Sequence, residues 1–83
     1  MRLLYFAWVK EKVGKSAEDI ALPADIATVG ELIAWLKTRG PEFANAFARE
    51  EVIRAAIDHA HVRHDARIAN AREIAFFPPV TGG

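Results

Sequence analysis

Apolar positions along the chain fall into blocks of different period, and each block predicts an element. Residues 2 to 9, "RLLYFAWV", are a run of aromatic and branched side chains and read as a first strand. Alternation places Leu3, Tyr5, Ala7 and Val9 on one face and Leu4, Phe6 and Trp8 on the other, so both faces are apolar. "EKVGKSAE" holds Gly14 and reads as a turn. "EDIALP", residues 18 to 23, reads as a short second strand ended by Pro23, so the first two strands form a hairpin. The period then changes. In "TVGELIAWLKTRGP", Val29, Leu32, Ile33 and Leu36 recur at helical spacing. Thr28 and Glu31 stand at the spacing of a capping box, and Gly40 and Pro41 stop the helix. "PEFANAFARE" adds a short turn of helix with Phe43 and Phe47 four apart. "EVIRAAID", residues 51 to 58, predicts a third strand, and "AHVRHDARI" a short strand or a loop crossing. "REIAFFP", residues 72 to 78, predicts the last strand, with Ile74 and Phe76 on one face and Ala75 and Phe77 on the other.

This order makes an α+β domain. One amphipathic helix can cover only one face of a small sheet. First and last strands paired in parallel at the centre give a β-grasp, or ubiquitin-like, arrangement: a mixed sheet packed on one main helix. The other sheet face is left without a helix. Leu4, Phe6 and Trp8 point there, joined by Phe77 from the neighbouring strand. Such residues either fill gaps under loops or form an apolar patch that docks on another protein. Docking is favoured, because no predicted element remains to cover that face.

Composition sharpens this picture. A chain of 83 residues suggests one small domain. A domain of this size buries roughly 60% of its unfolded surface. Yet 52% of its residues are hydrophobic, which leaves apolar surface over for a partner. Eleven basic and eleven acidic residues cancel, with no basic block, so neither nucleic acid nor an anionic membrane is an expected partner. No apolar run approaches the length of a membrane span. The N-terminal run is followed by charge and lacks a small-residue cleavage site, so it reads as strand and not signal peptide. The absence of cysteine removes disulfides, thiolate metal sites and thiol nucleophiles. The cytoplasm is the expected location.

Candidate chemistry lies at the end of the sequence, "IAFFPPVTGG". Pro78 and Pro79 lack a backbone N–H and cannot extend a sheet ladder, so they end the strand and project the chain. This divides the protein into a domain over residues 1–77 and a flexible C-terminal tail over residues 78–83. Six extended residues reach roughly 20 Å, enough to enter a partner's active site. Gly82 and Gly83 would pass a channel too narrow for larger residues. The group delivered is the α-carboxylate of Gly83, ionised at neutral pH and unreactive until a partner activates it, for example as an acyl-adenylate made with ATP. A frayed terminus that happens to end in Gly-Gly is the plain alternative.

The sequence resembles the molybdopterin synthase small-subunit family, ubiquitin-like β-grasp sulfur carriers related to the thiamine sulfur carrier. The similarity runs through "YFAWVKEKVG", "TVGEL" and "AAID" and is most specific in "EIAFFPPVTGG". It implies that Gly83 is adenylated by an activating enzyme and converted to a thiocarboxylate by persulfide sulfur. It further implies that the carrier docks on the large subunit of molybdopterin synthase, in a heterotetramer of two small and two large subunits, and gives sulfur to cyclic pyranopterin monophosphate to build the dithiolene of molybdopterin. Phe6, Phe77, Pro78, Pro79, Val80 and Thr81 would contact the partner, with Gly82 giving clearance in the channel. No cofactor is held permanently; ATP is used by the activating enzyme, and the small subunit is not catalytic alone. Two departures from the family pattern stand out. The turn before the last strand is "NAREI", with Ala71 and Arg72 where the family usually has Gly with acidic neighbours, and His61 replaces a residue that is often apolar. A carrier for thiamine or tRNA thiolation, a ubiquitin-like modifier that joins Gly83 to lysines, and a plain interaction module are the alternatives.

The remaining constellations carry less. His59 and His61 would share a face on a strand, with His64 nearby, and imidazole is a good zinc or copper ligand. Asp58 and Asp65 are near, but no convincing ligand set is completed, so a solvated polar edge is expected and no metal. Asp58, Glu18 and Asp19 show no spacing for acid–base catalysis, and Trp8 and Trp35 read as packing or interface residues.

Overall fold

The computed structural model describes residues 1–79. Five strands form one sheet in the order β2-β1-β5-β3-β4. They are β1 (Arg2–Tyr5), β2 (Ala17–Asp19), β3 (Arg54–Ile57), β4 (Ala60–Val62) and β5 (Glu73–Phe77). The helices are α1 (Ala7–Val13), α2 (Val29–Leu36) and α3 (Pro41–Ala46). The central pair, β1 and β5, is parallel, with Leu3 opposite Ile74 and Tyr5 opposite Phe76, and the other three pairings are antiparallel. This is the expected β-grasp order, with first and last strands at the centre.

The first strand is half the predicted length. It ends at Tyr5, and "AWVKEKV" turns into α1. A continuous apolar run does not distinguish strand from helix, and the periodicity beyond Phe6 is helical: Val9 and Val13, four apart, are buried, while Lys10, Glu11 and Lys12 face out. Gly14 closes the helix at φ 92°, where its N–H bonds to the Lys10 carbonyl. Ala7 makes the corner between β1 and α1 at φ 53°, a left-handed conformation costly for a residue with a Cβ. Val9 therefore reaches the core from a helix, and Trp8 lies on α1 and not on the outward face of the sheet.

Smaller differences follow from pairing. β2 stops at Asp19: after Asp19 pairs with Arg2, Ile20 and Met1 exchange a last pair of bonds, Ile20 N–H to the Met1 carbonyl and the Met1 amino group to the Ile20 carbonyl. β3 is shorter than residues 51 to 58, since Glu50–Val52 form a 3-10 turn. α2 has the predicted capping box: the Thr28 hydroxyl accepts from Glu31 N–H, and the Glu31 carboxylate accepts from Thr28 N–H. It ends at Leu36 in tight turns through Arg39, before Gly40 and Pro41, which instead start α3 with Pro41 in its first turn.

All three helices lie against one side of the sheet. Leu3, Tyr5, Ile74 and Phe76 from the central strands meet Val9, Leu32, Ile33, Leu36, Phe43 and Phe47 in one core. Phe47 meets the Phe76 ring edge-on at 5.2 Å, and Tyr5 stacks on Phe76 at 6.3 Å. Burying each such aromatic contributes roughly 2–3 kcal/mol. The turn before β5 needs no glycine. Asn70 takes the left-handed conformation at φ 68°, and the Asp58 carboxylate accepts from the N–H groups of Arg72 and Glu73 at 3.0 and 2.9 Å. Those two interactions replace the backbone freedom that a glycine would supply.

Candidate functional site

The outward face of the sheet is built in rows by strand register. Side chains alternate, so the residues between those of the core cluster point away from the helices. One row runs Ala17, Leu4, Ala75, Ala56 and His61 across all five strands. Four of these five are apolar and three of them are alanine, so the row is low and flat. The next row toward the C-terminal end of β5 holds Phe6, Phe77 and Arg54: Phe77 is paired with Arg54, and Phe6 N–H bonds to the Phe76 carbonyl. Phe6 is 48% exposed, the large hydrophobic side chain most open to water among the described residues. Phe77 is half-buried, with the His61 ring 5.2 Å away. Pro78 and Pro79 follow directly and are also half-buried.

Phe6 and Phe77 are thus brought to one face, as expected, and Pro78 and Pro79 continue from its aromatic row. An apolar surface beside the base of the C-terminal segment can dock that segment and the domain together. Val80, Thr81, Gly82 and Gly83, which carry the predicted chemistry, lie outside the described residues.

Beneath the opposite face sits a polar cluster that sequence spacing did not reveal. Tyr5 donates its hydroxyl to Glu18 at 2.6 Å, and Arg39 grips the same carboxylate with two N–H groups at 2.8 and 3.2 Å. Burial pushes the Glu18 carboxyl up, but the hydrogen bonds from Arg39 and Tyr5 outweigh it and hold the group below the usual carboxylate range. Burial, then the bond to Glu18, raises the Tyr5 phenol, so it stays protonated. The Arg39 guanidinium lies 4.7 Å from the Phe43 ring centre and 5.4 Å from that of Trp35. The cluster ties β1 and β2 to the turn after α2 and to α3. Its groups are satisfied by one another, so it is a clamp.

The three histidines do not converge. His59 sits in the β3–β4 turn at φ 74°, not on a strand beside His61, and its Nε2 lies 3.8 Å from a Glu73 oxygen. His64 Nε2 bonds to the Ile53 carbonyl at 2.8 Å. Among the described residues no group of three or more His, Cys, Asp or Glu side chains is placed to hold a metal ion. Among the same residues no helix is long and apolar enough to cross a membrane.

Comparison with known proteins agrees with this layout. The molybdopterin synthase sulfur carrier subunit of Escherichia coli (strain K12) is 36% identical over 83 residues, spanning 100% of this chain and 99% of that protein. The protein of the same name from Dictyostelium discoideum is 37% identical over 84 residues, covering 99% of this chain and 94% of that one. The crystal structure of SAMP1 from Haloferax volcanii superposes with a TM-score of 0.72 at 25% identity, over 100% of this chain and 98% of that chain. The ThiS family model matches residues 3–83, from the first strand through both terminal glycines, and the chain belongs to the ThiS family.

Proposed function

We propose that this protein is the sulfur carrier subunit of a molybdopterin synthase. The observation that carries the reading is the central strand β5, which ends at Phe77 on an apolar face and leads through Pro78 and Pro79 toward Gly82 and Gly83. The full-length similarity to proteins of that name supports it. An activating enzyme uses ATP to join the Gly83 carboxylate to AMP, releasing pyrophosphate. The outer sulfur of a persulfide on a sulfur-donor protein then displaces AMP to give an acyl disulfide. A thiol cleaves its S–S bond, leaving the thiocarboxylate on Gly83 and a disulfide on the donor. Residues 1–77 act as the body that docks on the large subunit through Phe6 and Phe77. Residues 78–83 are the arm, with Val80 and Thr81 as spacer and Gly82 as the residue that clears the channel. The terminal sulfur passes to cyclic pyranopterin monophosphate, and the catalytic side chains belong to the large subunit. Two small and two large subunits make up the assembly.

The test is chemical. With the activating enzyme, ATP and a persulfide donor, intact mass should show one oxygen-to-sulfur exchange, and fragmentation should place it on Gly83. Adding the large subunit and cyclic pyranopterin monophosphate should consume that species. Removing Gly83 should abolish transfer without moving the thermal midpoint, because the core cluster is built from residues between Leu3 and Phe76. Accumulation of lysine adducts in place of the thiocarboxylate would favour a protein modifier, and full molybdopterin formation without Gly83 would overturn the reading.

A further inference from the structure

The outward face is not uniformly apolar. Beyond Phe77 the aromatic row continues into Arg54 on β3, and the chain one residue past β4 carries Arg63. Ala55 pairs with Val62, so Arg54 and Arg63 stand at the next position across the same two strands. His61 flanks them in the neighbouring row, opposite Ala56. All three side chains are exposed. Arg54, His61 and Arg63 line a surface hollow of about 290 Å³ beside Phe77.

Two like charges facing each other across strands are destabilising. Four cations elsewhere have a partner, since Arg39 and Lys15 share Glu18, Lys37 meets Glu50 and Arg49 meets Glu51. Arg2, Lys10, Lys12, Arg67 and Arg72 form no ion pair among the described residues; what sets Arg54 and Arg63 apart is that they face each other across a strand pair. No carboxylate lies within salt-bridge distance of Arg54 or Arg63 among the described residues. A local conflict left uncompensated beside a functional surface is where a fold gives up stability for recognition. The far end of the same face carries the opposite charge, since Asp19 and Glu73 flank Arg2 there. A polyanion lying along the face would meet those carboxylates. A protein surface of mixed character, acidic at one edge only, would not.

We propose that Arg54, His61 and Arg63 form a cationic edge of the docking face, received by a carboxylate-bearing patch on the partner whose apolar surface covers Phe6 and Phe77. This deepens the proposed function and rests on its docking step. The aromatic pair provides the contact, and the cationic edge sets the orientation and the choice of partner, as charged rims do.

The experiment measures binding of the full chain to the molybdopterin synthase large subunit of the same organism, at low and at high salt. The variants are Arg54→Gln with Arg63→Gln, Arg54→Glu with Arg63→Glu, and Arg49→Gln with Arg67→Gln as a control of equal charge away from the outer face. The glutamine pair should lose about tenfold in affinity at low salt and flatten the salt dependence. The glutamate pair should invert that dependence, so that salt restores binding. The control should change neither. Circular dichroism of each variant checks that these exposed positions leave the fold intact. If the wild-type chain binds and the glutamine pair keeps both its affinity and its salt dependence, the cationic edge is wrong while the carrier reading stands. If the wild-type chain does not bind the large subunit at all, the carrier reading fails and this inference falls with it.

Discussion

Ile74 and Phe76 face one way along β5, and Ala75 and Phe77 the other. The first pair is fully buried under three helices; of the second, Phe77 is half-open to water. The same strand, with nearly the same chemistry at each position, thus serves a core on one side and, in the proposed function, an interface on the other. Hydrophobicity does not distinguish the two roles. What lies opposite does: α1, α2 and α3 all pack on the inner face, and among the described residues none packs on the outer one.

The strongest way to break this comparison is to truncate one aromatic from each side. Phe76→Ala should destabilise the fold by about 3–5 kcal/mol, because it opens a cavity against Tyr5 and Phe47. Chemical denaturation measures this directly, and a loss below about 1 kcal/mol would mean the core is not centred there. Phe77→Ala should leave stability within about 1 kcal/mol of the wild type. The same change should weaken binding to the large subunit by upwards of roughly 2 kcal/mol, as read by calorimetry. Equal losses in both variants would dissolve the distinction between the two faces.

The polar clamp sharpens the inner side. Glu18→Gln weakens the grip of Arg39 and should cost about 1–3 kcal/mol at neutral pH. The Glu18 carboxyl titrates lower in the folded chain than in the unfolded one. Its contribution is therefore complete above the ordinary carboxylate range and disappears as pH falls through the depressed folded value. Wild type and Glu18→Gln should converge in stability on acidification; a gap that persists or widens there would exclude the clamp as its source. The smallest effect is expected at the helix cap. Thr28→Ala should cost about 1 kcal/mol, detectable as a modest fall in thermal midpoint, with partner binding unchanged.

Much of this was legible in the chain. The period of Val29, Leu32, Ile33 and Leu36 marked α2, and Thr28 with Glu31 marked its start. The alternation in "REIAFFP" assigned Ile74 and Phe76 to the core and Phe77 to the surface. The stretch after Phe6 was not legible as α1, because its turn depends on Ala7 adopting a positive φ that residue type disfavours. Glu18, Tyr5 and Arg39 are far apart in sequence and meet only once β1, β2 and the turn after α2 have assembled. Arg54 and Arg63 become neighbours only through the β3–β4 register. Pairwise geometry of this kind carries no local period, and so leaves no trace in a one-dimensional pattern.

The parallel pairing of β1 with β5 has a consequence for how the protein is made. The central ladder joins Leu3 to Ile74, so two strands far apart in sequence must meet at the middle of the sheet, and β5 is made well after β1. A nascent chain that has not reached Phe77 lacks the middle of its sheet, and β3 and β4 then have nothing to join to β1. Contacts this distant in sequence form slowly, because loop closure must precede any gain from them. A chain cut before Glu73 should stay unfolded by circular dichroism, whatever its helical propensity. The strand that leads to Gly83 is thus also the one that completes the fold.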